Sequence, residues 1–190
     1  MKRTHIAPAV FISASVLAGG LAVAQQDRFN LTAPNGISFS EFRDYETWQA
    51  IASSLPDDAT GCGTSPAPGC IKVILGNPAM IRAYKAGIPA NGQSIPDGAM
   101  MAKIEWQKAR DPLSAYGAFV PGALAEVAFM MKDSKRFPQT DGWGYATFKP
   151  DGSSEAWKTF GDGPDFANTC HACHTLVKDR NFVFTKYQRR

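Results

Sequence analysis

Along residues 39–149 apolar and aromatic positions come in short bursts, separated by segments containing Pro and Gly. Phe42, Tyr45 and Trp48 recur at helical spacing after Ser38-Phe39-Ser40-Glu41, which predicts a helix over 42–48 with its aromatic stripe facing the core. Ile71-Lys72-Val73-Ile74-Leu75 reads as a short strand. A helix is predicted over 79–86, because Asn77 can cap it, Pro78 suits its first position and Gly87 stops it. Pro96-Asp97-Gly98 turns the chain into a strand over 99–107, and further strands are predicted over 126–132 and 144–149. Residues 25–38 read as an irregular lead-in and 57–70 as a loop. The strands therefore suggest an antiparallel meander. A last helix is predicted over 166–176, after which Phe182-Val183-Phe184 forms an apolar anchor that packs back on the body.

The first 24 residues follow a different pattern. Lys2 and Arg3 precede an apolar stretch over 7–24, broken by Gly19-Gly20 and closed by Ala22-Val23-Ala24. A basic start, a short apolar run and a small-x-small site describe a secretory signal peptide, with residues 25–190 as one mature domain. An uncleaved anchor would be longer and less rich in Ala, Gly and Ser. The signal also changes the charge balance. Of 20 basic residues, 18 remain beside 17 acidic ones once Lys2 and Arg3 are removed, down from a formal net charge of +3. No basic stripe is left to attract nucleic acid. Export implies a periplasmic location, an oxidising compartment and no membrane attachment after cleavage. It also removes His5, leaving His171 and His174.

Those two histidines lie in Cys170-His171-Ala172-Cys173-His174, a C-x-x-C-H motif. On one helical turn the two sulfurs can form thioethers to the haem vinyl groups, while the adjacent His174 ligates the iron. The motif thus predicts haem c, bound covalently through Cys170 and Cys173. A redox C-x-x-C would open a long helix after a strand, and a structural zinc site would crowd four ligands into one turn. Neither fits this position. His171 reads as a spectator. Only 16 residues follow His174 and none is Met. A sixth protein ligand would have to be Met100, Met101, Met130 or Met131. The motif's position instead favours five-coordinate iron with an open, mostly apolar distal site.

Cys62 and Cys70 bracket Gly-Thr-Ser-Pro-Ala-Pro-Gly. In an exported chain these residues read as a disulfide across a short loop, stabilising by about 2–3 kcal/mol through loop-closure entropy.

The chain resembles the cytochrome P460 family, which includes the β-sheet cytochromes c′. The resemblance runs from about Phe39 and rests on several segments. These are 77–87, Pro96-Asp97-Gly98 through Ala102-Lys103-Ile104-Glu105-Trp106, 129–137, Gly142-Trp143-Gly144-Tyr145 and the terminal motif through Thr185. It implies an α+β fold: a predominantly antiparallel sheet with flanking helices and a C-terminal haem-binding helix. It also implies a homodimer, a small nitrogenous ligand or substrate (hydroxylamine or nitric oxide) and a soluble electron-transfer partner. In P460 proper a lysine is cross-linked to the haem, and Lys103 is the best match; Lys85, Lys72 and Lys108 are weaker ones. Strand alternation puts Lys103 on one face with Met101 and Glu105. The family's distal carboxylate corresponds to about 129–131, where this chain has no acid. Glu126 and Asp133 are nearby, and Glu126 would face the haem in a different register. The expectation is an apolar distal wall that binds nitric oxide and oxidises hydroxylamine slowly. The alternatives are a non-enzymatic binder of nitric oxide and a simple electron carrier.

Overall fold

The computed structural model describes residues 28–188 except 58–60, 63–64, 114, 153–155, 162 and 164. The expected signal peptide lies outside the described residues. Among the described residues eight strands form: β1 (Gln49–Ser54), β2 (Gly61–Cys62), β3 (Ser65–Pro68), β4 (Cys70–Gly76), β5 (Met100–Arg110), β6 (Phe119–Lys132), β7 (Trp143–Pro150) and β8 (Trp157–Phe160). Six of them make one antiparallel sheet in the order β1-β4-β5-β6-β7-β8, with β2 and β3 as a separate hairpin. The meander read from the sequence is therefore present. Helix α1 (Pro78–Lys85) links β4 to β5, and α2 (Phe166–His174) follows β8. Among the described residues no helix is long and apolar enough to cross a membrane.

The helix expected over 42–48 does not form. Two 3₁₀ turns, Phe39–Phe42 and Tyr45–Thr47, stand in its place. Asp44 separates them in the left-handed region at φ 63°, a conformation no helix continues through. The aromatic stripe still reaches the core: Phe39, Phe42 and Tyr45 are buried. Phe39 meets the rings of Phe29, Tyr45, Phe129, Phe148 and Trp157 at centroid distances of 5.0–6.0 Å. This cluster covers one face of the sheet with Ala102, Val127 and Phe148.

The opposite face carries a second cluster, with Ile74, Met80, Ile81, Met101, Tyr145 and Val183. Helix α1 packs there. Asn77 Oδ1 accepts the N–H of Met80 at 2.9 Å, capping the helix as its sequence suggests. The same oxygen accepts Met100 N–H at 3.1 Å, which ties the helix start to the start of β5. Val183 is buried in this cluster, so the C-terminal segment does return to the body. Beside this cluster the same sheet face opens into a cavity.

Candidate functional site

Register across the sheet decides which side chains meet in that cavity. Lys72 opposes Glu105 and Glu105 opposes Glu126 across β4, β5 and β6. The next row along is Ile74, Lys103, Ala128 and Thr147, and the one after it brings Met101, Met130 and Tyr145 together. Strand side chains alternate between faces, so all these residues share the cavity face. The cavity measures about 590 Å³, within the range of small-molecule and cofactor sites, roughly 300–1,000 Å³. Its opposite wall includes Phe166, Cys170 and His174 of α2, with Val183 and Phe184 beyond it.

The two walls differ in chemistry. On the sheet, Glu105 is fully buried and ion-paired with Lys103 and, at 3.1 Å, with Lys72. Lys103 Nζ also lies 3.9 Å from Glu126. Burial opposes the charge of Glu105, but Lys103 and Lys72 outweigh it and hold its carboxyl below the usual range. Burial pushes the Glu126 carboxyl the other way, upward; the Lys103 charge resists this and Glu105 adds to it. The Cys70 end of the Cys62–Cys70 disulfide packs on Glu105, with Sγ 3.6 Å from Oε2.

On the helix wall, His174 Nδ1 donates to the Phe182 carbonyl at 2.6 Å, which turns Nε2 free for a metal. Burial lowers the imidazole's proton affinity, favouring the neutral ring that ligation needs. Its faces meet Tyr145 and Phe184, each at 5.0 Å between centroids. Burial also pushes the Cys170 thiol up to about 11. Cys173 is exposed on the same helix.

His171 is not the spectator its place between the cysteines suggests. It is buried, its Nδ1 lies 3.0 Å from the Tyr145 hydroxyl, and its Nε2 lies 2.9 Å from Asp141 Oδ2. Burial holds the proton on the Tyr145 hydroxyl, which therefore donates to Nδ1 while Nε2–H donates to Asp141. His171 thus fastens α2 to β7 and to the turn before it.

The cavity brings together Lys103, Glu126, Cys170 and His174. Among the weaker lysine matches, Lys72 lines it. Among the methionines considered as sixth ligands, Met101 and Met130 line it; Met100 and Met131 turn to the other face. The sheet wall is less apolar than expected, because alternation along β6 points Glu126, Ala128 and Met130 inward, while Met131 and Phe129, which also borders the cavity, belong to the cluster on the other face. Glu105 and Tyr145 do not stand out as site residues in the sequence. The alternation that links Lys103 to Glu105 was the one available signal. Two thiols on one helix, with Cys170 and the Nε2-presenting His174 lining the cavity and Cys173 exposed beside it, are a donor set that fits haem c.

Comparison with known families agrees. A search of curated protein sequences returns no significant match. A family model described as Cytochrome P460 matches residues 42–185, spanning both walls of the cavity. The chain belongs to the cytochrome P460 family, and with it to the haem-bearing cytochromes.

Proposed function

We propose that this chain is a periplasmic haem c protein that oxidises hydroxylamine and passes the electrons to a soluble redox partner. Cys170 and Cys173 hold the haem by thioethers, His174 ligates its iron, and Lys103 is the residue cross-linked to its edge. The bound haem supplies a redox-active iron that takes small nitrogen species. The observation carrying this reading is the presence of Glu126 and Lys103 on the sheet wall of the cavity that His174 lines from the other side. Hydroxylamine loses protons as it loses electrons, so a nearby base matters, contributing typically about 10²–10⁴-fold. Burial raises the Glu126 carboxyl above its ordinary value, the direction that suits a general base. Export through residues 1–24 and a homodimeric assembly belong to the same proposal.

The test is hydroxylamine-dependent reduction of an artificial electron acceptor by purified holoprotein, alongside the ferrous absorption spectrum. A strongly red-shifted Soret band and turnover that falls by about 10²-fold or more in Glu126→Gln are expected. An ordinary c-type spectrum with no turnover would overturn the oxidase reading. Ala128 and Met130, which follow Glu126 along the cavity face of β6, favour the second reading, a non-enzymatic binder of nitric oxide. Such a wall takes a neutral diatomic without burying a charge.

A further inference from the structure

Glu105 is a fully buried carboxylate at the base of the cavity. Buried charges persist only when paired, and Glu105 has two cationic partners from different strands. Its position creates a conflict that needs an explanation. Glu105 and Glu126 are direct cross-strand neighbours on β5 and β6, and like charges placed so are destabilising. Lys103, two residues from Glu105 on the same strand face, lies between them. It is in contact with Glu105 but 3.9 Å from Glu126. The ammonium is therefore shared unequally, and Glu126 is left with the weaker claim. Lys72 approaches Glu105 from β4 and lies on the far side from Glu126.

We propose that Glu105 is a positioning residue: it draws the Lys103 amine away from Glu126, aiming the lysine and leaving Glu126 free as a proton acceptor, while Lys72 balances its charge. This rests on the assignment of Lys103 and Glu126 made above. Without Glu105 the nearest carboxylate to Lys103 is Glu126, so the lysine swings to it and the base is occupied. Without Lys72, Glu105 has one partner left and grips Lys103 harder. The two substitutions therefore act in opposite directions, which general loosening of the cavity would not produce.

The experiment compares holoprotein of the wild type, Glu105→Gln and Lys72→Met by tryptic mapping. If the wild-type Lys103 peptide travels with the haem peptide, Glu105→Gln should cut that attached fraction about tenfold and Lys72→Met should preserve it. Full attachment in Glu105→Gln, or equal loss in both variants, overturns the proposal. If the wild-type peptide is free, the cross-link assignment fails on its own, and acylation of the Lys103 amine decides the positioning role. Acylation should then run about tenfold faster in Glu105→Gln, where the amine has only Glu126, the carboxylate more easily neutralised by a proton, to pair with, and slower than wild type in Lys72→Met; equal rates, or acceleration in both, overturn it. Should Glu105→Gln not fold, Glu105→Asp keeps the charge at shorter reach. It should give a smaller attached fraction, or a faster acylation, than the wild type. A wild-type value there overturns the proposal.

Discussion

Replacing Gly161 with Ala tests how the helix wall of the cavity is seated. Gly161 has φ +96°, and a Cβ added to it would lie 2.3 Å from Phe166 Cγ and 2.4 and 2.7 Å from the two Cδ atoms. Phe166 is the first residue of α2, lines the cavity and packs edge-on against Phe160 at 5.4 Å. Ordinary contact would force its ring back by about 1 Å, out of its packing on Phe160. Overpacking of this kind costs about 1–3 kcal/mol. The positive φ adds about 1–2 kcal/mol, and the smaller entropy of the unfolded Ala chain worsens neither term. Gly152 provides the control. Its φ is +64° and an added Cβ would meet nothing within 4 Å, so Gly152→Ala carries the backbone cost alone. Urea unfolding of both variants should place Gly161→Ala about 1–3 kcal/mol below Gly152→Ala. Equal losses would refute the packing of Phe166 on Gly161 and, with it, this seating of α2.

Tyr145→Phe leaves buried His171 Nδ1 without its partner and should cost about 1–3 kcal/mol in thermal or urea unfolding; a neutral effect would remove His171 as the fastening of α2. Burial raises the Glu126 carboxyl, so the folded chain keeps that proton after the unfolded chain, with its ordinary value of 4.5, releases it. Its contribution to stability therefore declines as pH rises above that value. Glu126→Gln should flatten this decline in urea midpoints measured from about pH 4 to about pH 8, and an unchanged slope would assign it to another group. Replacing both Cys62 and Cys70 with Ser should destabilise by about 2–3 kcal/mol in the same assay, and no loss would deny the pair a structural role.

The elements legible in the sequence are those whose ends carry local chemistry. Asn77, Pro78 and Gly87 mark α1 to within one residue at its start and end, and the C-x-x-C-H spacing places α2. Strand β1 escaped because only Ile51 of its six residues is buried; an edge strand with one inward side chain shows no alternation. Strand β8, shorter still at four residues, offers no fully buried position. The 3₁₀ turns read as helix because aromatic spacing does not reveal the left-handed Asp44 between them. At the site, Lys103 and Glu105 follow from period-two alternation on a single strand. Glu126 does not, since its partners depend on the pairing of β5 with β6. That pairing shifts between Glu105 and Trp106 and again between Trp106 and Lys108. His171 stayed hidden for a related reason: Asp141 and Tyr145 reach it only once α2 has docked.

The order of elements along the chain has a bearing on thiol sorting. Cys62 and Cys70 are eight residues apart, at the entry to the first long strand of the meander, whereas Cys170 and Cys173 arrive on α2 after the sheet's last strand. Chains emerging from the N-terminus fold their early parts first. The first pair can close on itself while the second has yet to appear, and its sulfurs then sit buried against β5. Of the four cysteines, the late two are then left with only each other as thiol partners. Two cysteine pairs that could mispair if they coincided are thus kept apart by their order along the chain.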